Sequence, residues 1–345
     1  MNMKKKIVSL TISAAFLLAP TCVQGSYAAS WRIHNNANRY AHFTDINAAM
    51  SSSEVQDGDT LYIDSGCTLG TQTVSKRVTI IGPGYSLPEG AGYQGDAIVG
   101  ELNLNVAGIK VMGLTARTNS TTWNVKAANI TIERCSASHI YITSQHTTIR
   151  QCVGRSFRGN NSMTSAFCTV ENCIFTINSR DVPIKSLYNA TVRNNYLRNS
   201  NTGSTYCMTD MNNSIIENNI MLHVNKSDKL FNNISSCVFS RNVLSCAEGT
   251  YAYVDTENNL QLGEAKEANI FTLEGTAMRN YQLKDGSPAK GYATDGGDCG
   301  PYGGTHPYIP CGYPLGMPRF VSGSASDHPE DGIVTVSNQV SIQNQ

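Results

Sequence analysis

One short phrase returns along this chain at nearly regular intervals: an apolar residue, two others, then most often Cys or Asn. It reads Ile132-Glu-Arg-Cys135, Ile149-Arg-Gln-Cys152, Val170-Glu-Asn-Cys173, Val192-Arg-Asn-Asn195, Ile216-Glu-Asn-Asn219 and Phe239-Ser-Arg-Asn242, with Val111-Met-Gly-Leu114 as a degenerate first copy. The starts lie 17 to 24 residues apart. A period near 20 whose length varies is the mark of stacked coils that differ in their loops. The residue after each start alternates in sign: Glu133, Arg150, Glu171, Arg193, Glu217. Laid side by side as parallel strands, each charge falls between two opposite ones, which favours that register.

The flanking columns obey the two-residue period of a strand. Thr131, Thr148, Thr169 and Thr191 stand one residue before the start and point outward. Ile130, Thr147, Cys168, Ala190, Ser214 and Cys237 stand two before it and point inward. In the last position of the phrase, Cys135, Cys152 and Cys173 give way to Asn195, Asn219 and Asn242. Asn tolerates left-handed backbone and bonds to neighbouring backbone, which suits a corner, and stacked Asn side chains can bond to one another. A further strand starts after the corner, at Ile174, Tyr196, Ile220 and Val243. The fold expected is all-β: a single-stranded right-handed parallel β-helix of about residues 29–320, with regular coils at about 98–246.

Before the coils, Phe43, Ile46, Ala49 and Met50 have helical spacing, with Thr44 placed to cap, and Asp57-Gly-Asp-Thr-Leu-Tyr-Ile63 reads as a turn into a strand. Such an amphipathic helix, in an N-terminal cap of about residues 31–65, would cover the open end of a solenoid. Residues 321–345 read as a tail with two short strands, Ile333–Val336 and Val340–Ile342. Lys4, Lys5 and Lys6 followed by an apolar stretch to Ala19 read as a secretory signal over residues 1–28, giving an exported protein without a membrane-spanning segment. Cys22 leaves a lipoprotein alternative open.

Lys+Arg and Asp+Glu are equal at 26, and charged residues are 15% of the chain, which points away from nucleic acid and anionic membranes. Most cysteines fall in inward columns and act as small buried hydrophobes. Only Cys299 and Cys311, close in a Gly- and Pro-rich loop, are plausible disulfide partners.

Asp57-Gly-Asp-Thr-Leu-Tyr-Ile63 after the helix, and Leu283-Lys-Asp-Gly-Ser-Pro-Ala289 with Asp295…Gly304, are similar to the opening and closing segments of the secreted bacterial β-helix proteins of the pectate-lyase-like superfamily. The resemblance implies the fold and leaves activity open, since this fold hosts lyases, hydrolases, adhesins and proteins without known chemistry. Lyases of the superfamily combine Ca²⁺-holding carboxylates with an Arg or Lys base; its hydrolases use paired Asp. No Asp-Asp pair stands in the repeats, which counts against a hydrolase.

Ionisable groups cluster in the loops after the repeat phrase. Arg155, Arg180, Lys185 and Arg198 are the candidate bases, and Arg158, Asp181, Asp210, Lys226, Asp228 and Lys229 the candidate binding residues. Arg155 and Arg198 each stand six residues past a repeat start, so they should share a face two coils apart. Asp295 and Asp298 are a weak Ca²⁺ pair, with a turn as the alternative. His139, His146 and His223 are isolated in sequence. The expected function is binding of a polysaccharide along one outer face by a monomer. The alternatives are a uronate lyase with an Arg or Lys base and Ca²⁺, and a structural or adhesive surface protein.

Overall fold

A computed structural model describes residues 28–312, apart from 37, 87–94, 161, 204, 227, 256, 265 and 274–280, together with the backbone of the strands Pro318–Ala325 and Val336–Ile342. The chain winds as a right-handed parallel β-helix with three faces. Face I is a ten-stranded parallel sheet from Ser30–Ile33 to Val238–Ser240. It contains every copy of the repeat phrase. Faces II and III belong to one sixteen-stranded sheet. They are joined through two long strands, Ser136–Ile142 and Val153–Arg158, whose in–out alternation breaks midway, so each bends around the corner.

The expected stacking holds residue by residue. Val111, Ile132, Ile149, Val170, Val192, Ile216 and Phe239 are partners on successive strands of face I. All seven are buried, with Trp123, Ile140, Phe157 and Ile184 of face III packing in the same core. Complete burial of such a side chain contributes roughly 1.5–3 kcal/mol. The charge ladder is in register, but it closes as two pairs. Arg150 reaches Glu133 and Arg193 reaches Glu171, each at 2.7 Å. Both Glu side chains are nearly buried.

The corner after face I differs from the expectation by one residue. The left-handed residue is the third of the phrase: Gly113, Arg134, Gln151, Asn172, Asn194, Asn218 and Arg241 have φ between 52° and 66°. The fourth residue points inward instead. Asn195, Asn219 and Asn242, joined by Asn259, form a wholly internal ladder. Each Oδ1 accepts from the backbone and side chain of the Asn one coil back, at 2.9–3.1 Å. Asn195 Oδ1 passes the pattern on to the backbone N–H of Cys173, where the cysteine column takes over.

At the N-terminal end the helix is Ile46–Ser51, and its cap is Asp45 rather than Thr44: Asp45 Oδ1 accepts from Ala48 N at 2.7 Å. Ile46, Ala49 and Met50 are the buried face. At the other end, residues 294–312 turn back as a strap across the left-handed corner column. Asn218 bonds to Thr294, Asn172 Nδ2 donates to the carbonyls of Pro301 and Gly303, and Gln151 Nε2 donates to that of Pro307. The C-terminal segment also covers Ile174, Tyr196, Ile220 and Val243, the outward column of face II, forming a second apolar cluster. Tyr308 reaches Tyr85 through a 2.6 Å hydroxyl contact.

Two expectations are corrected here. Cys299 and Cys311 are both free thiols. Cys299 Sγ lies 3.1 Å from the carbonyl of Arg241 and Cys311 Sγ lies 3.6 Å from that of Ser86, so the strap carries them to different places. In the tail, Val336 and Val340–Ile342 lie in one strand, Val336–Ile342, which pairs antiparallel with Pro318–Ala325; residues 333–335 fall outside the described residues. So do the signal segment and Cys22. Among the described residues no helix is long and apolar enough to cross a membrane.

Candidate functional site

Face III carries one unbroken outward column. Thr73, Asn103, Asn124, Tyr141, Arg158, Lys185, Thr209 and Asn232 are consecutive register partners on eight strands. Their inward neighbours fix the orientation. Leu104, Val125 and Ile142 lie beyond the column and Leu102, Trp123, Ile140, Phe157, Ile184 and Met208 before it, all buried. The column therefore points outward because its strands bury both flanks, although Asn103 and Thr209 are themselves largely covered.

Beside this column lies a groove of about 370 Å³ lined by Ser120, Thr122, His139, Ser156, Arg158, Arg180, Asp181, Val182 and Lys185. The loop between Ile174–Ile177 and Ile184–Lys185 forms its wall, because six extra residues there carry Arg180 and Asp181 out over the sheet. Arg158 lies 5.1 Å from the centre of the Tyr141 ring. Among the described residues, Arg158, Arg180 and Lys185 have no carboxylate partner and no side-chain hydrogen bond. Arg158 and Lys185 are direct register partners, about 4.8 Å apart along the stack. Like charges placed so repel unless an anion is shared between them. Face I, where charges serve the fold, alternates them instead.

Asp181 is the groove's one carboxylate, and it is already engaged. Its Oδ2 accepts from Arg155 at 3.2 and 3.3 Å and from Ser179 at 2.8 Å; its Oδ1 lies 3.5 Å from His139 Nε2. Partial burial alone would raise the Asp181 pKa, but the hydrogen bonds from Ser179 and Arg155 and the nearby His139 and Arg155 hold it below the ordinary carboxylate value. His139 Nδ1 is buried without a hydrogen-bond partner in the structure. Its other ring nitrogen faces Asp181, so His139 stands in the groove's wall beside that carboxylate.

The candidate residues thus separate. Arg158, Arg180, Asp181 and Lys185 come together. Arg155 and Arg198 do share face II, on strands Val153–Arg158 and Tyr196–Asn199 either side of Ile174–Ile177, but both are occupied: Arg155 by Asp181 and Arg198 by Glu267 at 2.9 Å. Glu267 also accepts from the Tyr196 hydroxyl, so Arg198 latches the C-terminal cover onto the coil. Asp210 accepts from Asn233 and Thr209 in a left-handed turn. Lys226, Asp228 and Lys229 sit in a separate loop where Lys229 pairs with Asp228 at 3.3 Å and lies over Tyr206. Asp295 and Asp298 each accept a backbone N–H, of Gly297 and Gly291, which is turn chemistry. Among the described residues no cluster of three or more His, Cys, Asp or Glu is placed to hold a metal ion.

A second groove, of about 410 Å³, continues the first and shares Ser120 and Thr122 with it. Gly70, Thr71, Gly100, Glu101, Arg117, Thr118 and Thr121 complete its lining. Sequence reasoning missed this half, and His139 and Tyr141 with it. The signal that could have found Tyr141 was its alternation with Ile140 and Ile142. Comparison of the chain with known protein families and with curated protein sequences found no match.

Proposed function

We propose that this chain is an exported β-helix protein of the pectate-lyase-like kind that binds an anionic polysaccharide along face III, as a monomer. The observation that carries the reading is the pairing of Arg158 with Lys185 across adjacent strands, with Arg180 on the wall above and, among the described residues, no carboxylate partner for any of the three. Sugars bearing carboxylates meet such a surface through charge-assisted hydrogen bonds, and hydroxyl groups from Ser120, Thr122 and Ser156 supply the uncharged contacts. The test is binding of polygalacturonate, alginate and a neutral glucan to the protein and to its Arg158→Ala/Lys185→Ala variant. The reading expects the wild type to hold an acidic polymer, weakening as salt rises, and the variant to lose most of that affinity. Equal binding by both proteins, or none by either, overturns it.

A second reading, a uronate lyase, is favoured by Lys185 and Arg180 lining the same groove, neither with a carboxylate partner among the described residues. A base there would take the proton beside the uronate carboxylate while the glycosidic oxygen on the neighbouring carbon leaves. Ultraviolet absorbance of the unsaturated product, with and without Ca²⁺, decides between binding alone and turnover.

A further inference from the structure

The two grooves are continuous but unlike in charge, and the difference bears on which glycan fits. The first is lined by three cations, Arg158, Arg180 and Lys185, against one carboxylate, Asp181, itself bound to Arg155. The second is lined by one cation, Arg117, against one carboxylate, Glu101, with the hydroxyls of Thr71, Thr118, Ser120, Thr121 and Thr122 between. Glu101 is exposed and already accepts amide hydrogens from Asn103 and Asn124, at 3.2 and 3.0 Å, so it is held at the surface as a fixed acid. Four strand steps separate the coil of Glu101 from that of Lys185, about 19 Å along the helix axis.

A uniformly charged polymer laid along this track would meet three cations at one end and, at the other, one acid, Glu101, set against one cation, Arg117. Resting on the glycan-binding reading above, we infer that the ligand is a sparsely charged glycan: one anionic sugar seated among Arg158, Arg180 and Lys185, followed by neutral sugars that cross the hydroxyl shelf of Ser120 and Thr122 toward Glu101. The anionic group is a carboxylate or a sulfate ester, both of which accept from this set of donors. Neutral sugars suit the shelf because hydroxyl and carboxamide groups exchange hydrogen bonds with sugar hydroxyls without a charge to desolvate. Glu101 cancels the attraction that Arg117 would give a dense polyanion, so this half of the track offers such a polymer no net charge, a specificity device of the kind that disfavours the wrong partner.

The experiment compares length-matched oligosaccharides by calorimetry: a fully charged oligogalacturonate, and a neutral oligosaccharide ending in a single uronic acid or a single sulfated sugar. The proteins are wild type, Glu101→Gln and Arg158→Ala/Lys185→Ala, with folding checked by circular dichroism. Wild type is expected to prefer a singly charged ligand, with the two singly charged arms reporting which acid is taken. Glu101→Gln, an exposed and isosteric change, is expected to raise affinity for the fully charged ligand severalfold while leaving the singly charged one within twofold. A wild-type preference for the fully charged ligand, or an unchanged ratio in Glu101→Gln, overturns the inference and leaves the basic groove standing. Unchanged binding of every ligand by Arg158→Ala/Lys185→Ala overturns the groove reading itself.

Discussion

Replacing Asn219 with Leu tests whether the internal Asn ladder holds the coils together. The side chain is wholly buried. Its Oδ1 accepts from both the backbone N and Nδ2 of Asn195 at 2.9 Å, and its Nδ2 donates to the Val192 carbonyl at 2.8 Å and to Asn242 Oδ1 at 3.0 Å. Leucine is close in volume and packs, but it leaves two N–H groups of Asn195 without their acceptor. Asn242 Oδ1 keeps the backbone N–H of residue 219, so its loss is smaller. An orphaned buried polar group costs about 1–3 kcal/mol, so two give roughly 2–6 kcal/mol. Against a typical stability of about 5–15 kcal/mol, that is a large fraction. Urea unfolding followed by far-ultraviolet circular dichroism should show a lower midpoint with little change in slope. The Asn195→Leu/Asn219→Leu double variant should cost less than the two single changes summed, because both remove the same shared bonds. A cost under about 1 kcal/mol for Asn219→Leu, or strict additivity, would refute the ladder as a source of stability.

Arg150→Glu places three acids on adjacent strands, at 133, 150 and 171, two of them nearly buried. The melting temperature should fall, and the loss should shrink in high salt; an effect insensitive to salt would count against direct charge contact. Asp181→Asn removes a carboxylate whose pKa is depressed in the folded protein, so the stability it contributes is present above the unfolded value of about 4 and is lost as pH falls through the lower folded value. The variant should therefore melt below wild type at neutral pH and approach it in acid; a gap that widens on acidification has the wrong sign. The described cysteines are free, and burial raises the thiol pKa of Cys207 to about 12, Cys246 to about 11 and Cys299 to about 12. A thiol reagent on the native protein should label the half-buried Cys237 and Cys311 first. Peptide mapping that recovers a Cys299–Cys311 disulfide would contradict the strap geometry.

Much of the fold was legible because face I is governed by local rules. A strand alternates in and out, so the apolar start column, the threonines before it and the alternating charges could be placed from spacing alone. The corner was displaced by one residue because a left-handed position and an inward position both favour Asn, and composition cannot tell Asn194 from Asn195. Thr44 and Asp45 are both good caps, and only backbone geometry separates them. The candidate site was less legible. Arg158 stands nine residues past its repeat start and Lys185 fifteen past its own, so nothing in the sequence marks them as neighbours. Arg155 and Arg198 have equal offsets, and were placed correctly for that reason, yet their partners are Asp181 and Glu267, 26 and 69 residues away.

The amino-acid order by itself determined the winding, the period and the composition of the interior, since each strand's inward and outward residues are decided by its own pleat and by the coil beside it. Tertiary structure alone decided which charges are free. Loop lengths differ from turn to turn, so the residue that lands beside a given side chain on face III depends on the chain between them. The C-terminal strap, which pairs with the corner from more than seventy residues away, takes up groups that local sequence leaves open. Arg158, Arg180 and Lys185 keep no carboxylate partner among the described residues because no described segment returns to them.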